Sequence, residues 1–285
     1  MAKVGIITDT IACLSEDKIK EFEIGIVPIA LNINGKPYLD QVDLKPDDFW
    51  KMFDEVKELT TGAPPIGQYT DVYSQISQST DEIVCTFVSK NLSAINETAI
   101  QARDVFKQEN PGVNIEIIDS QSAAGAQGFI VTEMAKAAAA GKTMAEVIEV
   151  GQDMIKRAKF VCAMDTLKYL IKSGRAPKTA YMGELFQVKP IIGMTNNSGV
   201  VENIARARGK AASQEKLVDL IKDYTDVSKP LHVNVHYTNN IDDGYRLRDI
   251  VTARYNCVEV LMSPYTPVMG GHTGPVCAIS FYSEK

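Results

Sequence analysis

The feature that most constrains the fold is a continuous apolar run at residues 83–88, followed by a polar turn and then by helical spacing. The turn covers residues 89–93, and apolar side chains recur every three to four residues from Ile95 to Phe106. This pattern predicts a buried strand, a short loop and a helix. Ligands of open α/β sheets bind just past the carboxyl ends of strands, where Ser93 lies. We therefore expect this turn to bind the polar head of a ligand.

Strand and helix patterns alternate as far as about residue 158, which predicts a mostly parallel sheet covered by helices. The remaining residues mix hairpins with helices, which is typical of a mixed sheet. We therefore predict an α/β protein of two domains. Residues 1–158 are predicted to form an N-terminal domain with a mostly parallel α/β/α sheet, and residues 159–285 a C-terminal α/β domain with a mixed sheet.

Capping and turn residues predict individual elements. Asn34 and Gly35 predict a hairpin turn, and Thr143 with Glu146 predicts a capping box at the start of a helix. Apolar spacing predicts further helices at residues 45–59, 69–77, 122–140 and 179–186.

Glycine and proline mark places where regular structure is not expected. Residues 60–67 contain two prolines and two glycines, so we predict an ordered loop or turn there. Gly125 and Gly128 are predicted to interrupt the helix at residues 122–140.

Composition narrows the class of protein. The chain of 285 residues is 45% hydrophobic and 23% charged, which fits a globular protein with a sizeable core. Its net charge of −6 argues against a dedicated nucleic-acid binder, whose surface would be basic.

No apolar stretch reaches the roughly 18 residues of a transmembrane helix, and the N-terminal residues lack the pattern of a signal peptide. Transient contact of the protein with a membrane surface is compatible with this sequence. The five cysteines are scattered without a CxxC motif, as is typical of reduced thiols in a cytoplasmic protein.

Motifs for nucleotide and metal binding are absent. The sequence contains neither GxxxxGK[ST] nor GxGxxG after a strand, which argues against nucleotide binding by those routes. His232 and His236 lie in an alternating strand pattern, which places them roughly 13 Å apart, too far for one ion. We expect no metal site and no cofactor.

Ser93, His272 and Asp9 are the residue types that a serine hydrolase needs as nucleophile, base and orienting carboxylate. The GxSxG elbow is absent. Ser93 also fits the position of a helix N-cap at a strand-to-helix turn. An acyl hydrolase or transferase that uses Ser93 and His272 therefore stays open beside a structural cap.

Two further segments are candidate ligand sites. The sequence GGHTGP at residues 270–275 predicts a loop whose backbone can approach a ligand closely, with His272 and Thr273 as hydrogen-bonding groups. The chain also groups several cations, which form either a solvated basic edge or a patch for an anionic partner or phosphate. These cations are Arg175, Arg206, Arg208 and Lys210.

Taken in order, these segments resemble the DegV family of fatty-acid-binding proteins. The family's ITDSTADL segment is similar to ITDTIACL at residues 7–14, its TSQPS loop to TGAPP at 61–65, its LSGTY turn to LSAIN at 92–96 and its HTGPG loop to HTGPV at 272–276. Smaller matches lie at residues 26–29, Tyr38, Asp40, 119–120, 167–175, 189–191 and 206–210. The matches are collinear over nearly the whole chain.

The resemblance implies a two-domain α/β fold that binds one long-chain fatty acid, such as palmitate or oleate, in a buried apolar tunnel between the domains. It implies that Thr61 and Ser93 bind the carboxylate at the domain junction, with His272 nearby. The residues that would border the pocket mouth are Gly62, Ala94, Thr273 and Gly274.

The resemblance also implies a carrier rather than an enzyme. Related systems offer the bound fatty acid to a separate fatty acid kinase, which phosphorylates the carboxylate. By their family positions, Arg175, Arg206 and Arg208 would dock that kinase or neutralise the phosphate. A small-metabolite-binding module related to dihydroxyacetone kinase is a further alternative, because those domains resemble DegV proteins in fold.

Four positions depart from the family pattern. Gly62 and Ala63 stand where the family has Ser and Gln, Ala94 replaces a glycine beside Ser93, and Val276 replaces the last glycine of HTGPG. Two polar contacts are thereby lost, so the pocket mouth is expected to be shaped for a different head group or chain.

Overall fold

The computed structural model describes residues 4–176 and 188–285, so the helix predicted at residues 179–186 lies outside the described residues. The described strands are β1 (Gly5–Asp9), β2 (Gly25–Val27), β3 (Ala30–Ile33), β4 (Lys36–Leu39), β5 (Leu59–Gly62), β6 (Glu82–Phe87), β7 (Asn114–Asp119), β8 (Lys159–Met164), β9 (Val188–Met194), β10 (Glu202–Arg208), β11 (Leu231–Tyr237), β12 (Cys257–Pro264) and β13 (Val276–Ser283). The described α-helices are α1 (Glu16–Glu21), α2 (Pro46–Met52), α3 (Ile66–Ser77), α4 (Ile95–Glu109), α5 (Ala124–Ala139), α6 (Met144–Arg157), α7 (Lys168–Lys172), α8 (Lys210–Tyr224), α9 (Ile241–Arg254) and α10 (Pro267–Thr273). Short 3-10 helices cover Thr10–Ala12 and Phe53–Glu55.

The strand predicted from the apolar run at residues 83–88 lies inside a parallel sheet. This strand, β6, is flanked by β1 and β7, and β2 lies beyond β1, in the order β2-β1-β6-β7. Every neighbouring pair in this sheet is parallel. Five of the six residues of β6 are buried, as expected for a strand covered on both faces. The predicted strand and the parallel sheet are confirmed.

A small antiparallel sheet has the order β4-β3-β5. Asn34 and Gly35 have φ of +52° and +85°, as a type I′ hairpin requires, so the predicted hairpin is confirmed. The prediction of an irregular segment at residues 60–67 is confirmed for residues 63–65 and wrong on either side of them. Its first residues pair with β3 as part of β5, and α3 begins at Ile66. Pairing with a distant strand outweighs the weak strand propensity of glycine here.

Pairing with a distant strand also sets where one helix ends. The helix predicted at residues 45–59 ends at Met52, because Leu59 pairs with Ile33 in the antiparallel sheet. The capping box of α6 depends only on local residues, and it is confirmed. The Thr143 hydroxyl accepts the N–H of Glu146, and the Glu146 carboxylate accepts the N–H of Thr143.

In the third sheet, the described strands number six and have the order β10-β9-β8-β13-β11-β12. β11 and β12 are parallel, and the other neighbouring pairs are antiparallel. All these strands follow α6 in the chain, so the mixed sheet predicted for the C-terminal part is confirmed. The division of the chain between residues 158 and 159 stays a prediction.

Helix α5 packs between the parallel sheet and the mixed sheet. Thirteen of its sixteen residues are buried, and the alanines and larger apolar residues among them share one hydrophobic cluster with residues of both sheets. The predicted interruption at Gly125 and Gly128 is wrong, since the helix is continuous. A Cβ at Gly125 would lie 2.8 Å from Nε2 of His236, and one at Gly128 would lie 2.4 Å from the carbonyl oxygen of Ala12. The two glycines therefore allow close packing rather than a break.

Candidate functional site

A cavity of about 530 Å³ lies past the carboxyl ends of β1, β2, β6 and β7, against the mixed sheet. This volume is in the usual range for small-molecule sites. Its apolar lining comes from Ile11, Ile29, Ala63, Val88, Leu92, Ala94, Ala123, Phe160, Leu170, Ile192, Met194, Val201, Tyr265, Val268 and Met269. Its other lining residues are Thr61, Gly62, Lys90, Asn91, Ser93, Arg175, His272 and Thr273. The described part of the chain thus contributes two cations and no carboxylate to the lining.

The turn after β6 forms one wall of this cavity, and buried hydrogen bonds fix its start. Asp9 accepts the N–H of Val88 at 2.8 Å, and Nδ2 of Asn96 donates to the carbonyl of Val88 at 2.8 Å. Burial raises the pKa of Asp9 to about 6, against the opposing effect of the backbone N–H groups it accepts. The ends of β1 and β6 are therefore joined directly beneath the turn.

Ser93 lines the cavity, but it is not the N-cap of α4. Ala94 holds that position and makes no side-chain capping bond. The N–H of Leu92 bonds to the carbonyl of Ser89 at 2.9 Å, so a separate turn delays the start of the helix. The Ser93 Oγ accepts the N–H of Ile95 at 3.3 Å. That bond uses a lone pair of the oxygen, so the hydroxyl hydrogen can donate to another group.

The prediction of a loop at residues 270–275 is wrong for residues 270–273, because α10 continues to Thr273, and the chain leaves the helix at Gly274, where φ is +65°. The other two glycines contact side chains. A Cβ at Gly270 would lie 2.7 Å from the aromatic rings of α2, and one at Gly271 would lie 2.4 Å from the leucine of β5. These glycines let α10 pack closely on the antiparallel sheet and on α2, which positions the helix beside the cavity.

His272 of α10 contacts Thr61 of β5. The Nε2 atom of His272 lies 2.8 Å from Oγ1 of Thr61, so the structure brings together two of the three residues predicted to bind a carboxylate. Burial, and then the charge of Arg175, lower the pKa of His272 to about 3. The ring is therefore neutral near pH 7, with one N–H donor and one acceptor nitrogen.

Arg175 connects this pair to the turn that carries Ser93. Its Nε donates to the carbonyl of Leu92 at 2.9 Å and its Nη1 to the carbonyl of Ser173 at 3.1 Å. The same Nη1 lies 3.4 Å from Nδ1 of His272. Burial lowers the pKa of Arg175, but a guanidinium stays protonated in proteins. Four chain segments far apart in sequence therefore meet at one polar cluster.

The other predicted residues divide into two groups. Gly62, Ala94 and Thr273 line the cavity, whereas Gly274 does not. The Thr273 hydroxyl donates to the carbonyl of Met269 at 3.0 Å within α10. A Cβ at Gly62 would meet no atom within 4 Å, so the space beside Thr61 is open.

Arg206 and Arg208 lie apart from this cluster. Both are exposed on the edge strand β10, and neither lines the cavity. Of the three predicted arginines, only Arg175 therefore lies beside the residues predicted to bind the carboxylate.

The arrangement differs from that of a serine hydrolase. A catalytic histidine contacts the nucleophile and is oriented by a carboxylate, whereas His272 contacts Thr61 and its Nδ1 faces Arg175. A histidine with a pKa of about 3 is also a weak base near pH 7. Asp9 accepts backbone N–H groups of Ile11 and Val88 instead. The geometry gives no support to catalysis by Ser93 and His272.

Sequence reasoning assigned no role in the site to three residues that the structure places in or beside it. Lys90 and Asn91 line the cavity, and their place in the polar turn before Ser93 was the signal for them. Asp40 is fully buried and accepts the N–H of Val268 at 3.2 Å, in the first turn of α10. Burial raises the pKa of Asp40 to about 7. Nothing local in the sequence indicates that contact, which joins residues 228 positions apart.

The histidines of β11 are part of the fold. His232 and His236 lie on the strand that their alternating pattern predicts, and the buried His236 accepts the N–H of Gly125 at 3.2 Å.

Among residues 4–176 and 188–285, no three His, Cys, Asp or Glu side chains are grouped as metal ligands would be. Within the same ranges, no helix is long and apolar enough to cross a membrane.

Known proteins are similar to this chain in sequence and in fold. A DegV domain-containing protein of Caldanaerobacter subterraneus is 28% identical over 287 residues, which cover 100% of both chains. A structure described as fatty acid binding of a DegV family protein from Thermus thermophilus has a TM-score of 0.89 at 23% identity, covering 99% of this chain and 100% of the other. A stearic-acid-binding protein from Eubacterium ventriosum has a TM-score of 0.90 at 22% identity, covering 99% and 98%.

The family assignment is based on the whole chain. The model of the DegV family, a family of uncharacterised proteins, matches residues 3–284. That match includes both larger sheets and every polar residue of the cavity. The chain therefore belongs to the DegV family.

Proposed function

We propose that this protein binds a single long-chain fatty acid in the cavity and holds its carboxylate beside Thr61 and Ser93, as a non-catalytic carrier in the cytoplasm. One observation carries the proposal: hydroxyl groups and cations meet an apolar lining in one cavity, to which the described residues contribute no carboxylate. An ionised carboxylate only accepts hydrogen bonds. It therefore requires donors and is repelled by other carboxylates.

Two hydroxyls are suited to donate to that carboxylate. The oxygen of Ser93 is already occupied by the N–H of Ile95, so its hydrogen is available to a ligand. Thr61 lines the same cavity next to His272. The charges of Lys90 and Arg175 add a positive potential at the lining, which favours an anionic head group.

The acyl chain would supply most of the affinity. Each buried CH₂ group contributes about 0.8 kcal/mol, and aliphatic and aromatic side chains form most of the lining. Polar contacts would then fix the orientation of palmitate or oleate rather than provide the bulk of the binding free energy. Binding of this kind requires neither a metal nor a cofactor.

Similar structures support this assignment. The Thermus thermophilus protein is described by its fatty acid binding, and the Eubacterium ventriosum protein as binding stearic acid. Both have the fold of this chain, and a long-chain fatty acid matches the cavity's combination of an apolar lining with a polar cluster.

Titration calorimetry of the delipidated protein with palmitate tests the binding proposal. We expect saturable binding of about one ligand per chain, weakened roughly tenfold or more by Ser93→Ala, because a hydrogen bond to a charged group contributes about 1.5–3 kcal/mol. The matched control is Ser77→Ala, which removes an exposed hydroxyl that bonds only within α3 and should leave the affinity unchanged. Absence of saturable binding by wild-type protein would refute the proposal.

We further propose that the loaded protein presents its ligand to a partner fatty acid kinase. The exposed Arg206 and Arg208 on β10 provide a positive surface for docking an acidic partner, and Arg175 could neutralise a phosphate formed at the head group. Arg206→Glu should reduce ATP turnover by a fatty acid kinase supplied with loaded carrier, while palmitate affinity is retained. Unchanged turnover would contradict this role for Arg206.

A further inference from the structure

Arg175 contacts the ring nitrogen of His272 that does not bond to Thr61. Its guanidinium is held in place by the carbonyls of Leu92 and Ser173, and Nη1 lies 3.4 Å from Nδ1 of the ring. A guanidinium carries only donors. In this contact Nδ1 must therefore accept, and it must present a lone pair.

The position of the ring proton follows. A neutral imidazole has a hydrogen on one nitrogen only, and the ring of His272 is neutral because burial and Arg175 lower its pKa to about 3. With Nδ1 as acceptor, the hydrogen is on Nε2. That nitrogen is 2.8 Å from Oγ1 of Thr61, so the ring donates to the hydroxyl oxygen and the Thr61 hydrogen is left for the cavity.

We propose that Arg175 is a positioning residue, which holds His272 as the Nε2–H tautomer and thereby makes Thr61 a hydrogen-bond donor to the ligand. Arg175 donates to His272, His272 donates to Thr61, and Thr61 is left to donate into the cavity. The inference about the tautomer depends only on the structure, whereas its consequence for a carboxylate rests on the proposed function.

The opposite tautomer would reverse the chemistry of the site. With the hydrogen on Nδ1, Nε2 would accept the Thr61 hydrogen, and Thr61 would present only lone pairs to the cavity. A carboxylate, which has no hydrogen to donate, would be repelled there, whereas a fatty alcohol could donate its own hydrogen to Thr61. Arg175 thus selects an ionised acid over an alcohol of the same chain length without needing to touch either.

Nitrogen-15 NMR of the ring tests the tautomer in ligand-free protein. The chain has three histidines, so His272→Gln identifies the signals of His272 by their loss. We expect the shifts of an Nε2–H ring in wild-type protein, unaffected by the control Arg248→Met on α9. In Arg175→Met we expect a mixture of tautomers and a higher ring pKa, because the neighbouring charge is removed. An Nδ1–H ring in wild-type protein, or unchanged ring shifts in Arg175→Met, would overturn the proposal.

Ligand choice tests the consequence. Wild-type protein should bind palmitate more tightly than hexadecanol, and Arg175→Met should lower that ratio about twofold or more by weakening palmitate alone, because only the Nε2–H fraction of the mixed tautomers can bind the carboxylate. Arg175→Lys, which keeps a cationic donor, should restore part of the ratio. An unchanged ratio in Arg175→Met overturns the selective role. If wild-type protein binds neither ligand but shows the Nε2–H ring, the proposed function fails and the tautomer assignment stands.

Discussion

The carboxylate of Asp40 accepts the backbone N–H of Val268 at 3.2 Å, which ties the end of β4 to the first turn of α10. His272 lies one turn further along that helix, since one turn takes about 3.6 residues. The contact therefore helps to place the ring beside Thr61. Asp40 is fully buried, so an ionised carboxylate there costs free energy unless its partners compensate.

Replacement of Asp40 by asparagine should change the pH dependence of stability. Burial raises the pKa of Asp40 from 3.8 to about 7, so the native protein binds the proton more tightly than the unfolded chain. That stabilisation is complete below the usual value of 3.8 and is lost as pH rises through about 7. Relative to wild type, the unfolding free energy of Asp40→Asn should rise by about 2.5 kcal/mol between about pH 5 and about pH 8.

Denaturant unfolding at several pH values measures this difference. The exposed Asp71→Asn variant serves as the control, and its unfolding free energy should stay parallel to that of wild type. If Asp40→Asn also stays parallel to wild type, Asp40 does not titrate as its burial requires.

Packing of α10 on α2 should be intolerant of a methyl group. A Cβ at Gly270 would lie 2.7 Å from the rings of Phe49 and Trp50, and overpacking of this kind costs about 1–3 kcal/mol. Gly270→Ala should therefore lower the free energy of unfolding by that amount in chemical denaturation. Gly67→Ala, in α3 with nothing within 4 Å of its Cβ, should be neutral or slightly stabilising. Equal stability of the two variants would show that α10 is not packed this tightly.

Removal of the Thr61 hydroxyl should weaken binding of the head group without unfolding the protein. Thr61→Val keeps the shape and the strand propensity of the residue but deletes its hydrogen-bond donor, so palmitate affinity should fall about tenfold or more. Thr252→Val on the exposed face of α9 is the matched control. Calorimetric titration of both variants gives the comparison, and equal affinities would remove Thr61 from the site.

Ester hydrolysis should not depend on Ser93. The ring of His272 bonds to Thr61, and its pKa of about 3 makes it a poor general base near neutral pH. We expect the same background rate on long-chain aryl esters for wild-type protein and Ser93→Ala. A rate that is well above background in wild type and lost in Ser93→Ala would instead establish acyl hydrolysis.

Local patterns predicted the elements whose signals are contained in a few neighbouring residues. The unbroken apolar run of β6, the positive φ values of Asn34 and Gly35, and the capping box at Thr143 all required only nearby residues. The polar turn predicted at residues 89–93 likewise follows β6, and residues 90–93 line the cavity.

The errors have one physical cause, which is packing between distant residues. The strand β5 exists because Thr61 pairs with Leu31, and Gly125 leaves room for His236 against a helix that stays continuous. The contact between Arg175 and His272 joins residues 97 positions apart. The resemblance to the family identified Arg175 and His272 as site residues. Only the three-dimensional structure shows that the two side chains contact each other.

Native mass spectrometry of the purified protein, followed by lipid extraction, measures the central proposal most directly. Protein that has not been delipidated should carry about one long-chain fatty acid per chain, and the delipidated form should regain that mass on addition of palmitate or oleate. A protein that purifies at its bare chain mass and gains nothing from either fatty acid would contradict the proposal.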